Sequence, residues 1–499
     1  MKIFNANQIR AWDDYTINHE PILSIDLMER AATSCVQWIR VHFPNYRDIT
    51  IICGRGNNGG DGLAIGRLLH ESGYNIKLFV LEGQKYGSAE FESNLLRYKE
   101  IAEITFINSI LDLSGIISGE IIIDALFGTG LSKPVEGLVQ SIVEYINSSD
   151  GIIISIDVPS GLFTDSFQSE TAIIKATHTL SFQQVKFSFL LPESICYTGS
   201  VHILDIGLSK DYYYETKSSF EYLDRDLIKS IYRKRLANSN KGTYGHSLIV
   251  AGSYGMMGAA VLSVKACLKS GAGKVTAIVP KIGYKIMQIS APEAMVIVSG
   301  KRNLGETDSL ENYNSIGIGP GIGRNENYKD LLYQVFSESK KPVVIDADAL
   351  YQLGLSNELF ENIPAGSILT PHPKEFEHLF GASENGFSAI EIALMKAASY
   401  NIFIILKGHY TFIACPDGRG YFNSTGNAGM ATGGSGDVLT GIITGLLAQG
   451  YNSQEAAILG IYLHGKAGDL AALSLSEEAL IAGDIVNYMG QAFLEIGKY

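Results

Sequence analysis

The chain has 499 residues, 39 basic and 52 acidic side chains, a net charge of −13 and 46% hydrophobic residues. At about 100–200 residues per domain, this length predicts about two to four domains. The ordinary hydrophobic share excludes wholesale disorder, and the acidic balance argues against a diffuse nucleic-acid or anionic-membrane binder. The 53 glycines follow no Gly-X-Y period, which excludes collagen. They cluster between apolar runs, as in backbone loops that approach ligands.

The opening stretch MKIFNANQIRAWDDYT has no apolar core and carries Asp13 and Asp14, so it does not read as a signal peptide. The cysteines at 35, 53, 196, 267 and 415 are odd in number and form no CxxC pair. No zinc ribbon or disulfide framework is legible, and buried thiols in a reducing compartment are expected. No uninterrupted apolar run reaches about 18 residues, so no membrane helix is predicted and a cytoplasmic location is expected.

Residues 24–42 show helical spacing behind Ser24 and Asp26 as caps. Apolar runs follow at 49–53, 76–81, 120–126, 151–157 and 201–207. Such runs suit strands of a parallel sheet buried on both faces. Residues 208–241 are polar and tyrosine-rich, with Arg233, Lys234 and Arg235 together. They read as a linker whose basic cluster is a solvated face. The rhythm then restarts at 247–253, 274–279, 315–319, 341–350, 366–372 and 402–408. The motif order differs between the halves, so two different α/β domains are predicted rather than a repeat. Ligand sites are expected beyond the carboxyl ends of both sets of strands.

In the first half, Gly54, Gly56 and Gly59 fit G-x-G-x-x-G, and Glu82 ends the next predicted strand. A hydride-transferring dinucleotide enzyme is one reading of this fingerprint. Asn57, Asn58 and Asp61 argue against it, because a pyrophosphate cradle favours bare N–H groups. An amide-and-carboxylate loop suits ribose hydroxyls or a cation, although Asp61 also fits a plain N-cap. Asp124 closes the 120–126 run and leads into Gly128-Thr129-Gly130, with Pro134 stopping the chain. Asp157 closes the 151–157 run and leads into Val158-Pro159-Ser160-Gly161. A carboxylate behind four apolar residues is poorly explained by packing. Asn58, Asp124 and Ser160 offer oxygen donors, which a hard cation prefers.

Residues 1–210 resemble the NAD(P)H-hydrate epimerase family through LMERA (27–31), GRGNNGGDG (54–62), DALFGTGL (124–131) and SIDVPSGL (155–162). The resemblance implies a Rossmann-like domain that interconverts the R and S hydrates at the hydroxyl-bearing carbon. It implies hydrate contacts from Asn57, Asn58, Gly59, Gly60 and Asp61, from Gly128, Thr129, Gly130, Leu131, Ser132, Lys133 and Pro134, and from Asp157. It also implies potassium held by Asn58, Asp124 and Ser160. Asp157 is the candidate proton-handling group, since enclosure can raise a carboxyl pKa; a ribose hydrogen bond is its other reading.

In the second half, NSTGNAGMATGGSGDVLTGIITGLL (423–447) sets Gly433, Gly434, Ser435 and Gly436 before Asp437 and an apolar helix. Backbone amides and a helix N-terminus attract phosphate, and Asp437 is placed to take a proton from an attacking hydroxyl. No Walker A motif is present. Lys407 and Gly408 follow another predicted strand, placing a cation near phosphates. GPGIG at 319–323, Asp346 and Asp348, and His372 between two prolines end further strands. Gly252-Ser253 and Gly258-Ala259 read as another loop, with a helix as the alternative.

Residues 225–499 resemble the ADP- or ATP-dependent NAD(P)H-hydrate dehydratases, of ribokinase-like fold. The resemblance rests on KGTYGH (241–246), AGSYGMMGAA (251–260), GPGIG (319–323), DADAL (346–350), TPHPKEF (370–376), KGHYT (407–411) and GNAGMATGGSGDVLTG (426–441). It implies that Ala259, Gly321, His372 and Asp437 touch the hydrate. It implies adenine-nucleotide contacts from Lys407, Gly408, His409, Tyr410 and Thr411 and from 427–436, including Asn427, Gly433, Gly434, Ser435 and Gly436. Lys374 and Ser435 depart from the family pattern, where a small residue and Thr are usual. Magnesium is expected on the nucleotide phosphates.

The organisation expected is two three-layer α/β domains, at 1–210 and 241–499, with a 211–240 linker. The expected function is repair of hydrated NADH and NADPH at the cost of ADP or ATP, by a homo-oligomer without nucleic-acid or membrane partners. The runner-up is a ribokinase-type vitamin or pyrimidine kinase fused to a non-catalytic binding domain.

Overall fold

The structure, a computed structural model, describes residues 1–83, 86–114, 121–168, 170–305, 310–324 and 328–497. Glu120, which heads one predicted strand, lies outside them. The chain divides into two compact units, Lys2–Ser218 and Ser219–Tyr499.

The first unit is a parallel sheet in the order Thr105–Ile107, Asn75–Leu81, Asp48–Cys53, Ile121–Ala125, Ile152–Ile156, His178–Phe182, Ser200–Leu204. Its central strands are isoleucine runs buried on both faces, as parallel strands between helices require. Strand order reverses between Asp48–Cys53 and Ile121–Ala125. A doubly wound sheet opens a crevice beyond the strand ends at such a reversal. Gly54 and Leu126 follow these two strands. The strands Thr105–Ile107 and His178–Phe182 are short or carry polar residues, so no apolar run marks them.

The run 57–62 is not a loop: helix Asn57–Glu71 starts there, with Gly56 as N-cap. Asp61 lies inside this helix and is not its cap. Glycines weaken helix interiors, but packing demands them here. A Cβ on Gly59 would meet the Gly54 carbonyl oxygen at 1.9 Å, and one on Gly62 would meet Ala125 and Cys53 side chains at 2.6 and 2.7 Å. Much of this glycine signal therefore reports close helix-on-sheet approach.

In the second unit the sheet runs Phe220–Tyr222, Gly420–Phe422, Phe412–Ala414, Phe403–Leu406, Ile368–Leu369, Val343–Ile345, Ser315–Ile318, His246–Val250, Lys274–Val279, Met295–Val298. Phe412–Ala414 is antiparallel to both neighbours, and the other pairs named are parallel. The order reverses at His246–Val250 beside Ser315–Ile318. The 251–256 loop and the GPGIG turn meet there, with the Gly252 amide donating to the Pro320 carbonyl at 2.9 Å. Gly258 and Ala259 belong to helix Met257–Lys269, which resolves the loop-or-helix alternative.

The stretch read as a 211–240 linker carries structure of its own. Helix Lys210–Glu215 belongs to the first unit. Strand Phe220–Tyr222 and helix Arg225–Ile231 belong to the second. The basic cluster is exposed, as a solvated face requires, and two of its arginines also stack on tyrosines. Arg233 lies 4.6 Å from the Tyr451 ring and pairs with Glu455, and Arg235 lies 4.0 Å from the Tyr244 ring. Guanidinium groups stack while staying partly wet, so polarity alone does not mark a linker.

Candidate functional sites

Beyond the strand ends of the first unit lies a cavity of about 510 Å³. It is lined by Asn57, Asn58, Asp61, Gly128–Lys133 and Asp157, together with Arg10, Trp12, Asp13, Gln183, Gln184 and Lys186. Gly59, Gly60 and Pro134 fall outside the lining. Asp124 and Ser160 are wholly buried behind it.

Asp157 has a positive φ of 62°, a conformation that costs an ordinary residue energy and marks functional sites. Its carboxylate accepts from the Thr129 amide at 3.1 Å and from the Thr129 hydroxyl, and Lys186 Nζ lies 2.9 Å away. Lys186 is fully buried and also donates to the Phe182 carbonyl. Burial alone would raise the Asp157 carboxyl, but Lys186 and Thr129 outweigh it and hold the group below the usual range. The expectation of a raised pKa at Asp157 is thus corrected: an ammonium in contact favours the ionised form.

The raised carboxyls lie elsewhere in the same cavity. Burial, with Asp157 and Asp13 nearby, pushes Asp61 well up. Burial and Asp157 push Asp13 up to about 7, against the opposing pull of Lys186. Sequence reasoning missed Asp13 and Lys186 as site residues. Asp13 was visible only as a charge in the N-terminal stretch, and Lys186 sits in an unremarkable segment.

Asp124 accepts from the Ser160 hydroxyl at 2.5 Å, the Ser160 amide at 2.9 Å and the Ser155 hydroxyl at 2.8 Å. Both side-chain polar atoms of Asn58 are buried without a hydrogen-bond partner. A buried amide left unpaired is costly, so these oxygen donors fit a hard cation.

In the second unit, a cavity of about 430 Å³ is lined by Lys407, Gly408, His409, Thr411, Asn427, Ser435 and Gly436. Thr425, Met430, Ile461 and His464 complete much of its wall, whereas Tyr410, Gly433 and Gly434 do not line it. Helix Ser435–Ala448 starts at Gly434, whose φ of 94° suits glycine. Lys407 Nζ lies 2.7 Å from Asp346, which also accepts from Thr440 Oγ1 at 2.6 Å. His464 Nε2 bonds the Ser435 carbonyl at 2.9 Å, and burial lowers its pKa to about 4. A neutral ring must donate there. Asp469 accepts from the Gly426 amide and the Asn427 side chain, fixing the loop before the glycine run. His464 and Asp469 carried no local signal beyond lying on an apolar helix.

Burial and Asp346 raise Asp437 to about 7, with Lys407 opposing. Asp348 and Glu375 add to the same field. A base poised near neutrality suits proton removal. Ala259 and Gly321 adjoin: a Cβ on Gly321 would lie 3.0 Å from that of Ala259. His372 caps helix Pro373–Phe380, its Nδ1 accepting from the Lys374 and Glu375 amides. Its ring is therefore fixed by capping, with Nε2 3.4 Å from Glu375. Lys374 contributes its backbone to this cap and its side chain is exposed.

Residues 24–188 match the model of the YjeF-related protein N-terminus, and residues 247–489 match the NAD(P)H-hydrate dehydratase model. The bifunctional NAD(P)H-hydrate repair enzyme Nnr of Moorella thermoacetica is 34% identical over 98% of this chain and 96% of its own. The chain belongs to the bifunctional NAD(P)H-hydrate repair enzymes. The repair enzyme of Escherichia coli is 31% identical over 97% of this chain and 92% of its own. The ADP/ATP-dependent NAD(P)H-hydrate dehydratase of Bacillus subtilis, crystallised with ATP and Mg2+, is 32% identical over 55% of this chain and 98% of its own, with a TM-score of 0.49. Membership of the repair enzymes favours the main reading over the vitamin or pyrimidine kinase. No helix of the described residues is long and apolar enough to cross a membrane.

Proposed function

We propose that this chain is a bifunctional NAD(P)H-hydrate repair enzyme. Residues 1–210 epimerise the R and S hydrates, and residues 241–499 dehydrate the S form with ADP or ATP. The observation that carries this reading is the presence of both constellations on one family member: the Asp157–Lys186 cavity and the Asp437 glycine turn beside the Lys407 cavity.

In the dehydratase, Asp437 takes the hydroxyl proton and the hydrate oxygen attacks the terminal phosphoryl group. The O–P bond to the leaving nucleotide breaks, and the backbone amides of the glycine turn stabilise the charge. The phosphorylated hydroxyl then leaves as phosphate and the ring loses a proton, restoring the dihydropyridine. Magnesium would screen the phosphate charges. Lys407, oriented by Asp346, adds a positive charge beside the cavity.

In the epimerase, the oxygens of Asn58, Asp124 and Ser160 would hold potassium, which supplies positive charge near a nucleotide phosphate. The hydrate would sit against Gly128–Lys133, with Asp157 as an anionic hydrogen-bond acceptor. A cytoplasmic homo-oligomer is the setting of this reading.

The test supplies purified protein with mixed hydrates of NADH and ATP. Recovery of all the hydrate as NADH, read by dihydropyridine absorbance, supports both activities. Recovery of the S half alone on the time scale of repair removes the epimerase, and a stable phosphorylated vitamin without NADH removes the dehydratase.

A further inference from the structure

The epimerase cavity gathers three carboxyl groups, with Arg10, Lys133 and Lys186 also in its wall. Asp13, Asp61 and Asp157 all line it. The buried ammonium of Lys186 lies 2.9 Å from Asp157. An ammonium in contact favours a buried carboxylate's ionised form, whereas burial beside another carboxylate favours the protonated form. Lys186 keeps Asp157 charged, while burial, with Asp157 nearby, raises Asp13 and Asp61. Carboxyl groups whose environments separate their proton affinities assign acid and base roles.

Position separates Asp13 from Asp61. Asp61 is buried inside helix Asn57–Glu71. Asp13 is half-buried on helix Ala6–His19 and lines the cavity next to Trp12. The other charged groups facing Asp13 are Arg10 and Asp14 on its own helix, Asp61, Asp157, and Lys133 and Lys186. This acid can both reach a ligand and exchange its proton with water.

Hydration of a dihydropyridine enamine leaves the hydroxyl on the carbon beside the ring nitrogen. Such a carbon loses its configuration when the hydroxyl departs as water and the nitrogen lone pair forms an iminium bond. That departure needs a proton on the oxygen, which an ionised Asp157 cannot provide.

We propose that Asp13 is the general acid of the epimerase site, protonating the departing hydroxyl of the bound hydrate. The C–O bond breaks with its electron pair on oxygen, and water leaves. A water molecule then adds to the opposite face, the iminium electrons return to nitrogen, and the released proton goes back to the Asp13 carboxylate. No oxidant or reductant is needed. This inference rests on the epimerase reading above and adds its acid.

The test follows epimerisation of the separated R hydrate of NADH in ordinary and 18O-enriched water, across pH, with hydrate binding read by Trp12 quenching. Wild-type protein should place one 18O in each S product and slow as pH rises through about 7. Asp13→Asn should slow epimerisation about 100-fold or more with binding retained, and Asp13→Glu should restore part of the rate with a moved alkaline limb. An Asp13→Asn rate above half of wild type, or an S product free of 18O, overturns the proposal while leaving the epimerase reading intact. Wild-type protein that does not epimerise the hydrate overturns both. Should Asp13→Asn fail to bind hydrate, the Asp13→Glu profile decides: an unmoved alkaline limb overturns the proposal.

Discussion

Lys186 Nζ lies 2.9 Å from Asp157 Oδ1, and the lysine is completely buried. A charge removed from water this fully persists only with a partner. The pair therefore keeps Asp157 ionised, and breaking it should be costly. Lys186→Met should destabilise the first unit by about 3–5 kcal/mol, because it strands a buried carboxylate. The double variant Lys186→Met with Asp157→Asn should recover part of that loss. Urea unfolding of all variants measures both, and an additive double variant would contradict the pairing.

Stability should respond to pH with opposite signs at Asp157 and Asp13. The folded Asp157 value lies below its unfolded one, so its contribution is present above the unfolded value of about 3.9 and is lost as pH falls through the folded value. The folded Asp13 value is raised to about 7. Its contribution is present below the unfolded value and is lost as pH rises towards 7. Asp13→Asn should accordingly raise Tm at pH 8 and leave it nearly unchanged near pH 4. Melts of wild type and variant at both pH values check this.

The dehydratase should show the reverse limb from the epimerase. Asp437 must be ionised to accept a proton, and its value is about 7. Its rate should therefore fall as pH drops through about 7. Asp437→Asn should lower kcat by about 100-fold to 10,000-fold and abolish that limb. NADH recovery from the S hydrate with ATP reads both effects.

His464 should act on nucleotide binding through the Ser435 carbonyl. His464→Ala leaves that carbonyl without its side-chain donor and should raise KM for ATP about tenfold, roughly 1.4 kcal/mol, with a smaller change in kcat. His464→Gln, which keeps an N–H donor, should recover part of the affinity. Initial rates against ATP concentration separate the two parameters.

Close packing should make glycines unequal. A Cβ on Gly441 would lie 2.1 Å from the Ser263 carbonyl oxygen, whereas one on Gly490 meets nothing within 4 Å. Gly441→Ala should cost about 1–3 kcal/mol through forced helix separation. Gly490→Ala should gain about 0.5–1 kcal/mol from helix propensity. Denaturant midpoints distinguish them.

Local pattern determined much of this protein. Isoleucine runs marked the strands, because parallel strands are buried on both faces. Asp124, Asp157 and Asp437 stood out where apolar runs or glycine turns end, and the surrounding motifs led to the repair family. Tertiary structure decided what those residues are paired with. It made 57–62 a packed helix start, spent Nδ1 of His372 on a cap, and put Asp13 and Lys186 in one cavity with Asp157. The physical reason is that burial and turn preference act over a few neighbouring residues, whereas the charge on a carboxyl depends on every ion that folding brings near it. Residues 13, 61, 157 and 186 are far apart in the chain, so no local pattern could say which of these acids keeps its proton.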